Sequence, residues 1–188
     1  MKRICVFAGS SVGARPQYGD AARALGRALT ARGLGLVYGG ARVGLMGLLA
    51  DEVLAGGGEA IGVIPRALAD REVAHNGLTA LHLVGSMHER KALMSDLSDG
   101  FVAIPGGWGT LEEWFEVLTW VQLGLHQKPC GLLNVAGYFD GLLRFLDQMV
   151  TERFVRLEQS SLVIAATAPG ELLDRMETQV MPVVEKWI

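Results

Sequence analysis

Short runs of consecutive apolar residues, each closed by glycine or a turn residue, alternate along the chain with longer stretches whose apolar positions recur every three to four residues. The short runs read as strands buried on both faces: Arg3 to Ala8, Gly35 to Tyr38, Glu59 to Ile64, Leu81 to Val84, Gly100 to Ile104, Cys130 to Asn134 and Leu162 to Ala165. The longer stretches read as amphipathic helices: Tyr18 to Arg32, Leu45 to Ala55, Met87 to Leu97, Leu111 to Leu123, Tyr138 to Glu152 and Glu171 to Val180. Strand and helix in strict alternation predict an α/β protein, a Rossmann-like, doubly wound and mainly parallel sheet of about seven strands with helices on both faces. Residues 1–188 are expected to form a single nucleotide-binding domain, with Gly39-Gly40 and Gly56-Gly57-Gly58 as turns rather than linkers.

In open sheets of this kind ligands sit beyond the carboxyl ends of the strands. The strongest segment there is Pro105 to Thr110, PGGWGT, where three glycines separate a buried strand from a helix. Glycine lets backbone N–H groups approach a ligand closely, and a helix start carries unpaired donors and partial positive charge, so the segment predicts a phosphate site formed by Gly106, Gly107, Trp108, Gly109 and Thr110. A plain strand-to-helix turn capped by Thr110 explains one glycine and leaves the others without a reason. Neither G-x-x-x-x-G-K-[ST] nor G-x-G-x-x-G occurs, and no acidic residue follows the second strand to take a ribose diol, which favours a mononucleotide or sugar phosphate over ATP hydrolysis or NAD.

Two further features sharpen this. Thr110 and Glu113 have capping-box spacing, so Glu113 has a structural explanation; yet Glu112, Glu113, Glu116 and Thr119 all project away from the apolar stripe of Leu111, Trp114, Leu118 and Val121. That acidic face is either solvated or turned to a ribose and a water. Arg90 falls within the stripe Met87, Arg90, Met94 and Leu97, where a charge is costly unless paired with a carboxylate or an anionic ligand, with Lys91 on the flank as a second cation. The segment Tyr38 to Gly47, YGGARVGLMG, with Gly40, Gly44 and Met46, repeats the strand–glycine–helix pattern, and Gly9 and Ser10 follow the first strand; for both, close packing is as good an explanation as ligand binding.

Composition narrows the partner. The net charge of −3, with no run of like charges, leaves no electrostatic footprint for nucleic acid or an anionic membrane, so a small molecule is expected. The apolar run Ile4 to Ala8 is too short for a signal peptide, and no stretch approaches the roughly 18 apolar residues of a membrane span, which predicts a cytoplasmic protein. Cys5 and Cys130 sit in buried strands and form no metal pair, and His75, His82, His88 and His126 show no ligand spacing, so neither a metal nor a cofactor is expected.

Taken together, Pro105-Gly106-Gly107-Trp108-Gly109-Thr110-Leu111-Glu112-Glu113 and Met87-His88-Glu89-Arg90-Lys91 resemble the Lonely Guy family of cytokinin riboside 5′-monophosphate phosphoribohydrolases, whose pattern includes P-G-G-x-G-T-x-x-E preceded by M-H-x-R-K. The resemblance covers nearly the whole chain. It implies hydrolysis of the N-glycosidic bond of an adenosine 5′-monophosphate, with or without an N6 substituent, to free base and ribose 5-phosphate. It also implies Arg90 and Glu113 as the catalytic pair, Lys91, Gly107 to Thr110, Glu72 and Thr119 in the nucleotide site, Glu116 by its place on the helix, and a homodimer. Where the family usually reads Y-G-G-G, this chain has Ala41. Sequences of this kind have also been labelled lysine decarboxylases, for which Lys91 is the one lysine near a plausible site. Two alternatives stay open at this point: a non-catalytic carrier or sensor of a nucleotide or phosphorylated cofactor, and a general AMP nucleosidase. An apolar slot for an N6 side chain has several possible linings, Met46, Trp108 and Trp114 among them.

Overall fold

The computed structural model describes residues 1–69 and 74–180. Seven strands form one sheet: β1 (Arg3–Phe7), β2 (Gly35–Tyr38), β3 (Ala60–Pro65), β4 (Ala80–Val84), β5 (Gly100–Ala103), β6 (Cys130–Leu133) and β7 (Val163–Ala166). Their order is β4-β3-β2-β1-β5-β6-β7, and every pairing is parallel. The helices are α1 (Pro16–Ala31), α2 (Gly44–Ala55), the single turn α3 (Arg66–Ala69), α4 (Met87–Asp96), α5 (Trp108–Gln122), α6 (Asp140–Thr151) and α7 (Pro169–Thr178).

Because successive side chains in a strand point to opposite faces, each apolar strand feeds two cores. Ile4, Val6, Leu36, Tyr38 and Ile104 pack with Leu25 and Leu29 of α1, Leu49 of α2 and Leu172 of α7. On the other face Cys5, Phe7, Val37, Phe101 and Leu132 pack with Met94 of α4 and with Trp114 and Val117 of α5. The doubly wound reading of the sequence holds strand by strand, with ends shifted by a residue or so.

The helix ends depart from expectation in two places that matter. Helix α5 begins at Trp108, with Gly107 at the N-cap, rather than at Leu111. Helix α6 begins at Asp140 rather than Tyr138, because a 3-10 turn over Val135–Gly137, with Ala136 at φ 50° and Gly137 at φ 73°, intervenes after β6. Both shifts occur where left-handed or cap geometry, invisible to hydrophobic periodicity, sets the start.

The chain runs outward from β1 through β2, β3 and β4, then returns to place β5 on the other side of β1. The reversal opens a crevice beyond the carboxyl ends of β1 and β5. Gly9 and Pro105 meet there, the Gly9 N–H donating to the Pro105 carbonyl at 3.1 Å.

Candidate active site

The PGGWGT segment is the start of α5 itself. Gly107 caps the helix without a side-chain hydrogen bond, and among the described residues no acidic side chain lies in the first turn. Among the described residues the first-turn N–H groups therefore have neither an intrahelical acceptor nor a side-chain cap, and no acidic side chain of the helix's own first turn offsets the positive end of its dipole. This corrects the capping-box reading. Thr110 is a buried residue inside the first turn, its hydroxyl filling the place a Gly106 side chain would need, so Thr110 is not the N-cap that Glu113 would complement. Trp108 is 91% exposed, and a Cβ on Gly107 or Gly109 would meet no other described residue within 4 Å, so among the described residues the Gly107 to Gly109 stretch is open.

Arg90 reaches the same place from α4, which packs on β3. It is 6% exposed. Its Nη2 lies 3.8 Å from Glu113 Oε1 and 3.5 Å from the Gly39 carbonyl, its Nη1 lies 3.8 Å from the Met87 sulfur, and its Nε has no hydrogen-bond partner among the described residues. Contacts this long compensate a buried guanidinium poorly. Gly39 makes the room: a Cβ there would stand 2.2 Å from Nη2 and 3.3 Å from the Met46 sulfur. The charges of this pair are felt at Cys5, whose thiol is pushed well up by burial and then by the Glu113 charge, with Arg90 acting in the opposite direction.

Beside them Lys91 Nζ contacts Glu112 Oε1 at 2.6 Å and Glu116 Oε1 at 3.0 Å. Burial works to lower its pKa, but bonds to both carboxylates outweigh that and hold the ammonium above its ordinary value. The other Glu116 oxygen is buried without a hydrogen-bond partner among the described residues.

The remaining sequence candidates divide. Gly9 and Ser10 line a cavity of about 320 Å³ with Tyr18, Gly106, Gly107 and Tyr138. Gly40 and Gly44 take φ of 79° and 62°. A Cβ on Gly44 would fall 2.2 Å from the Ser10 carbonyl carbon, and the Leu45 N–H donates to the Gly9 carbonyl at 3.0 Å. The second glycine loop is thus packed against the first, and this N–H at the start of α2 is already engaged. Ala41 is buried and bridges to Ala74. Met46 reaches Gly39 from the core. Thr119 is not brought to the Arg90–Glu113 pair: it donates to the Phe115 carbonyl and lines an apolar groove between α5 and α6. Trp114 is fully buried, its indole N–H donating to the Gly131 carbonyl at 3.1 Å, which removes it from any base pocket. Glu72 lies outside the described residues.

One residue at the crevice was missed. The Tyr138 hydroxyl donates to the Gly106 carbonyl at 2.5 Å and its ring stands edge-on to Tyr18, with centroids 5.6 Å apart. Its only sequence signal is a glycine–aromatic turn at the carboxyl end of a strand.

Comparison with known proteins adds the following. Residues 46–176 match the family described as "possible lysine decarboxylase". The probable cytokinin riboside 5′-monophosphate phosphoribohydrolase LOGL6 of Oryza sativa subsp. japonica is 50% identical over 176 residues, spanning 94% of this chain and 70% of that protein. The cytokinin riboside 5′-monophosphate phosphoribohydrolase LOG1 of Arabidopsis thaliana is 49% identical over 179 residues, spanning 95% of this chain and 84% of that protein. Among solved structures, the molybdenum cofactor carrier protein of Chlamydomonas reinhardtii superposes with a TM-score of 0.70 at 19% identity, covering 95% of this chain and 99% of that one. The molybdenum cofactor binding protein of Rippkaea orientalis does so at 0.67 and 23%, covering 95% and 97%. At such identities these two structures speak for the fold alone.

Proposed function

Because this chain belongs to the family of the cytokinin riboside 5′-monophosphate phosphoribohydrolases, we propose that Arg90, Glu113 and the PGGWGT segment carry out that family's reaction. The chain hydrolyses the N-glycosidic bond of a cytokinin riboside 5′-monophosphate to free base and ribose 5-phosphate. The observation that carries the residue assignment is a buried guanidinium with poor compensation, held beside a glutamate at an uncapped helix start.

As the bond from ribose C1′ to the base nitrogen breaks, positive charge builds on the ribose ring, as in glycosidase transition states. The Glu113 carboxylate opposes that charge and orients the attacking water. The water oxygen bonds to C1′ and gives up one proton, and the C1′–N bonding pair leaves with the base, which takes up a proton, so that one water is consumed as OH on the ribose and H on the base. The first-turn amides of α5 hold the 5′-phosphate, so binding energy distant from the reacting bond positions the ribose. Arg90 anchors the nucleotide and orients Glu113, its fork suited to oxyanions. Lys91 sets Glu112 and Glu116 in place along the helix.

The decarboxylase description requires a lysine free to form a Schiff base with pyridoxal phosphate. Lys91 does not fit that demand, because two carboxylates hold its amine protonated.

The substrate is a mononucleotide rather than a nucleic acid, in keeping with the net charge of −3. A homodimer is supported by exposed apolar side chains on and just after α6: Phe145 is 52% exposed, Phe154 84% and Leu157 72%, and α6 itself has no fully buried residue. A cytoplasmic setting suits two buried free thiols.

The test is release of ribose 5-phosphate from AMP and from N6-isopentenyl AMP, with GMP and CMP as controls. Arg90→Ala and Glu113→Gln should each lower kcat/KM about 10²- to 10³-fold. Wild-type rates in either variant overturn the assignment.

A further inference from the structure

Tyr138 reaches the phosphate loop from a turn that is costly to build. Ala136 takes φ 50° and Gly137 φ 73°. For alanine the left-handed region is disfavoured, because its Cβ crowds the following carbonyl oxygen. The turn is braced all round: the Asn134 amide donates to Asp140 Oδ1 at 2.7 Å, the Phe139 N–H donates to Asn134 Oδ1 at 2.8 Å, and the Arg15 guanidinium donates to the Ala136 carbonyl at 3.3 Å. Left-handed geometry so heavily supported marks a place where the direction of a side chain matters. What it directs is the Tyr138 hydroxyl onto the Gly106 carbonyl.

We propose that Tyr138 is a positioning residue for the substrate's 5′-phosphate, acting by fixing the orientation of the Gly106–Gly107 peptide. A trans peptide is planar, with its C=O and N–H pointing in opposite directions. Holding the Gly106 carbonyl toward Tyr138 therefore turns the Gly107 N–H away from it. The preceding peptide is fixed in the same way, its Pro105 carbonyl held by the Gly9 N–H at 3.1 Å. Two successive N–H groups, of Gly106 and Gly107, are thus set by partners bound to the carbonyls behind them, and both lead into the uncapped first turn of α5.

Such pinning is needed because the loop is built of glycine. Gly106 cannot be replaced without its Cβ coming within 2.9 Å of the Gly9 nitrogen. Glycine in turn has the largest backbone freedom to lose on ordering. Donors fixed before the ligand arrives need not be ordered at the moment of binding, which is the source of preorganised affinity. Tyr138 O–H also polarises the peptide whose N–H faces the anion, strengthening that donor.

This inference rests on the phosphate-loop reading above, and the test separates the two. Calorimetric titration of wild type and Tyr138→Phe with ribose 5-phosphate, and separately with adenine, is combined with AMP kinetics. The variant keeps the ring packed against Tyr18 and Phe139. Loss of one hydrogen bond of ordinary strength should raise the ribose 5-phosphate Kd about 5- to 10-fold and leave adenine binding unchanged. The kinetic loss should fall on the KM for AMP more than on kcat. Unchanged ribose 5-phosphate affinity in Y138F overturns the inference alone. Equal losses for ribose 5-phosphate and adenine overturn it too, since they signal a general structural role. Wild type that binds no ribose 5-phosphate overturns the phosphate-loop reading and this inference together.

Discussion

Gly39→Ala isolates the geometry of Arg90 without touching a charged residue. Gly39 does not adopt a positive φ, so alanine meets no backbone penalty there. The steric effect is direct: the new Cβ stands 2.2 Å from Arg90 Nη2 and 3.3 Å from the Met46 sulfur. Non-bonded carbon and nitrogen settle at about 3.5 Å, so the guanidinium must retreat by about 1 Å or more. Arg90 is buried, and the Met46 sulfur crowds the new methyl as well, so the shift is not absorbed into solvent. A misplacement of about 1 Å at a reacting centre can reduce rate about 10²-fold, and overpacking of this kind costs about 1–3 kcal/mol of stability. The assay is ribose 5-phosphate release from AMP, with a thermal melt on the same preparation. We expect kcat/KM to fall about 10²-fold while the protein stays folded at 25 °C. Activity within twofold of wild type in a folded G39A protein would show that the position of Arg90 does not govern the reaction.

Three further outcomes follow from the same structure. Gly109→Ala places a methyl where, beyond its own helical turn, no described residue comes within 4 Å; stability should rise by about 0.5–1 kcal/mol while the KM for AMP increases several-fold, and a KM left unchanged would remove the phosphate from this turn. Glu59 bonds Arg3 at 2.6 Å, which holds its carboxyl below the ordinary value. A lowered folded-state pKa means this stability is present above the unfolded value of 4.5 and is lost as pH falls through the folded one. Both side chains are more than a third exposed, at 36% and 38%, so E59Q should melt only about 2–4 °C lower at pH 7, with the gap closing in acid; a gap that persists at the lowest pH refutes the pair as its cause. Leu146→Glu tests the proposed homodimer by placing a charge in the groove between α5 and α6: sedimentation should show the parent chain as a dimer and the variant shifted to monomer; a variant that stays dimeric moves the interface elsewhere, and a monomeric parent chain refutes the dimer.

Much of the fold was legible because its signals are local. Strands buried on both faces must be apolar throughout, and helices covering them must be apolar every three to four residues, so all seven strands appear in the sequence within a residue or so of their ends. The short helix α3 and the turn after β6 carried no such signal: four residues are too few for a period, and the left-handed Ala136 is a choice of backbone angle rather than of composition. At the site, the glycines of PGGWGT and the charge of Arg90 on an apolar stripe stood out because each breaks a local rule. Thr110 misled for the same kind of reason. A Thr-x-x-Glu pattern satisfies the capping rule equally well when the helix has already begun two residues earlier, at Trp108.

The amino-acid order by itself determined the alternation of elements, the glycine-rich helix start beyond β5 and the presence of an arginine that a core helix face cannot hold uncompensated. Only the tertiary structure decided what those residues meet. Gly39, at the end of β2, leaves the space Arg90 occupies; Glu113, from α5, lies 3.8 Å from it; Lys91 is drawn to Glu112 and Glu116 rather than left free; and Tyr138, 32 residues beyond Gly106, closes on its carbonyl. The physical reason is range. Periodicity and capping act over a few residues of chain, whereas a site at the crossover point of a parallel sheet is assembled from strand ends that are neighbours in space and distant in sequence.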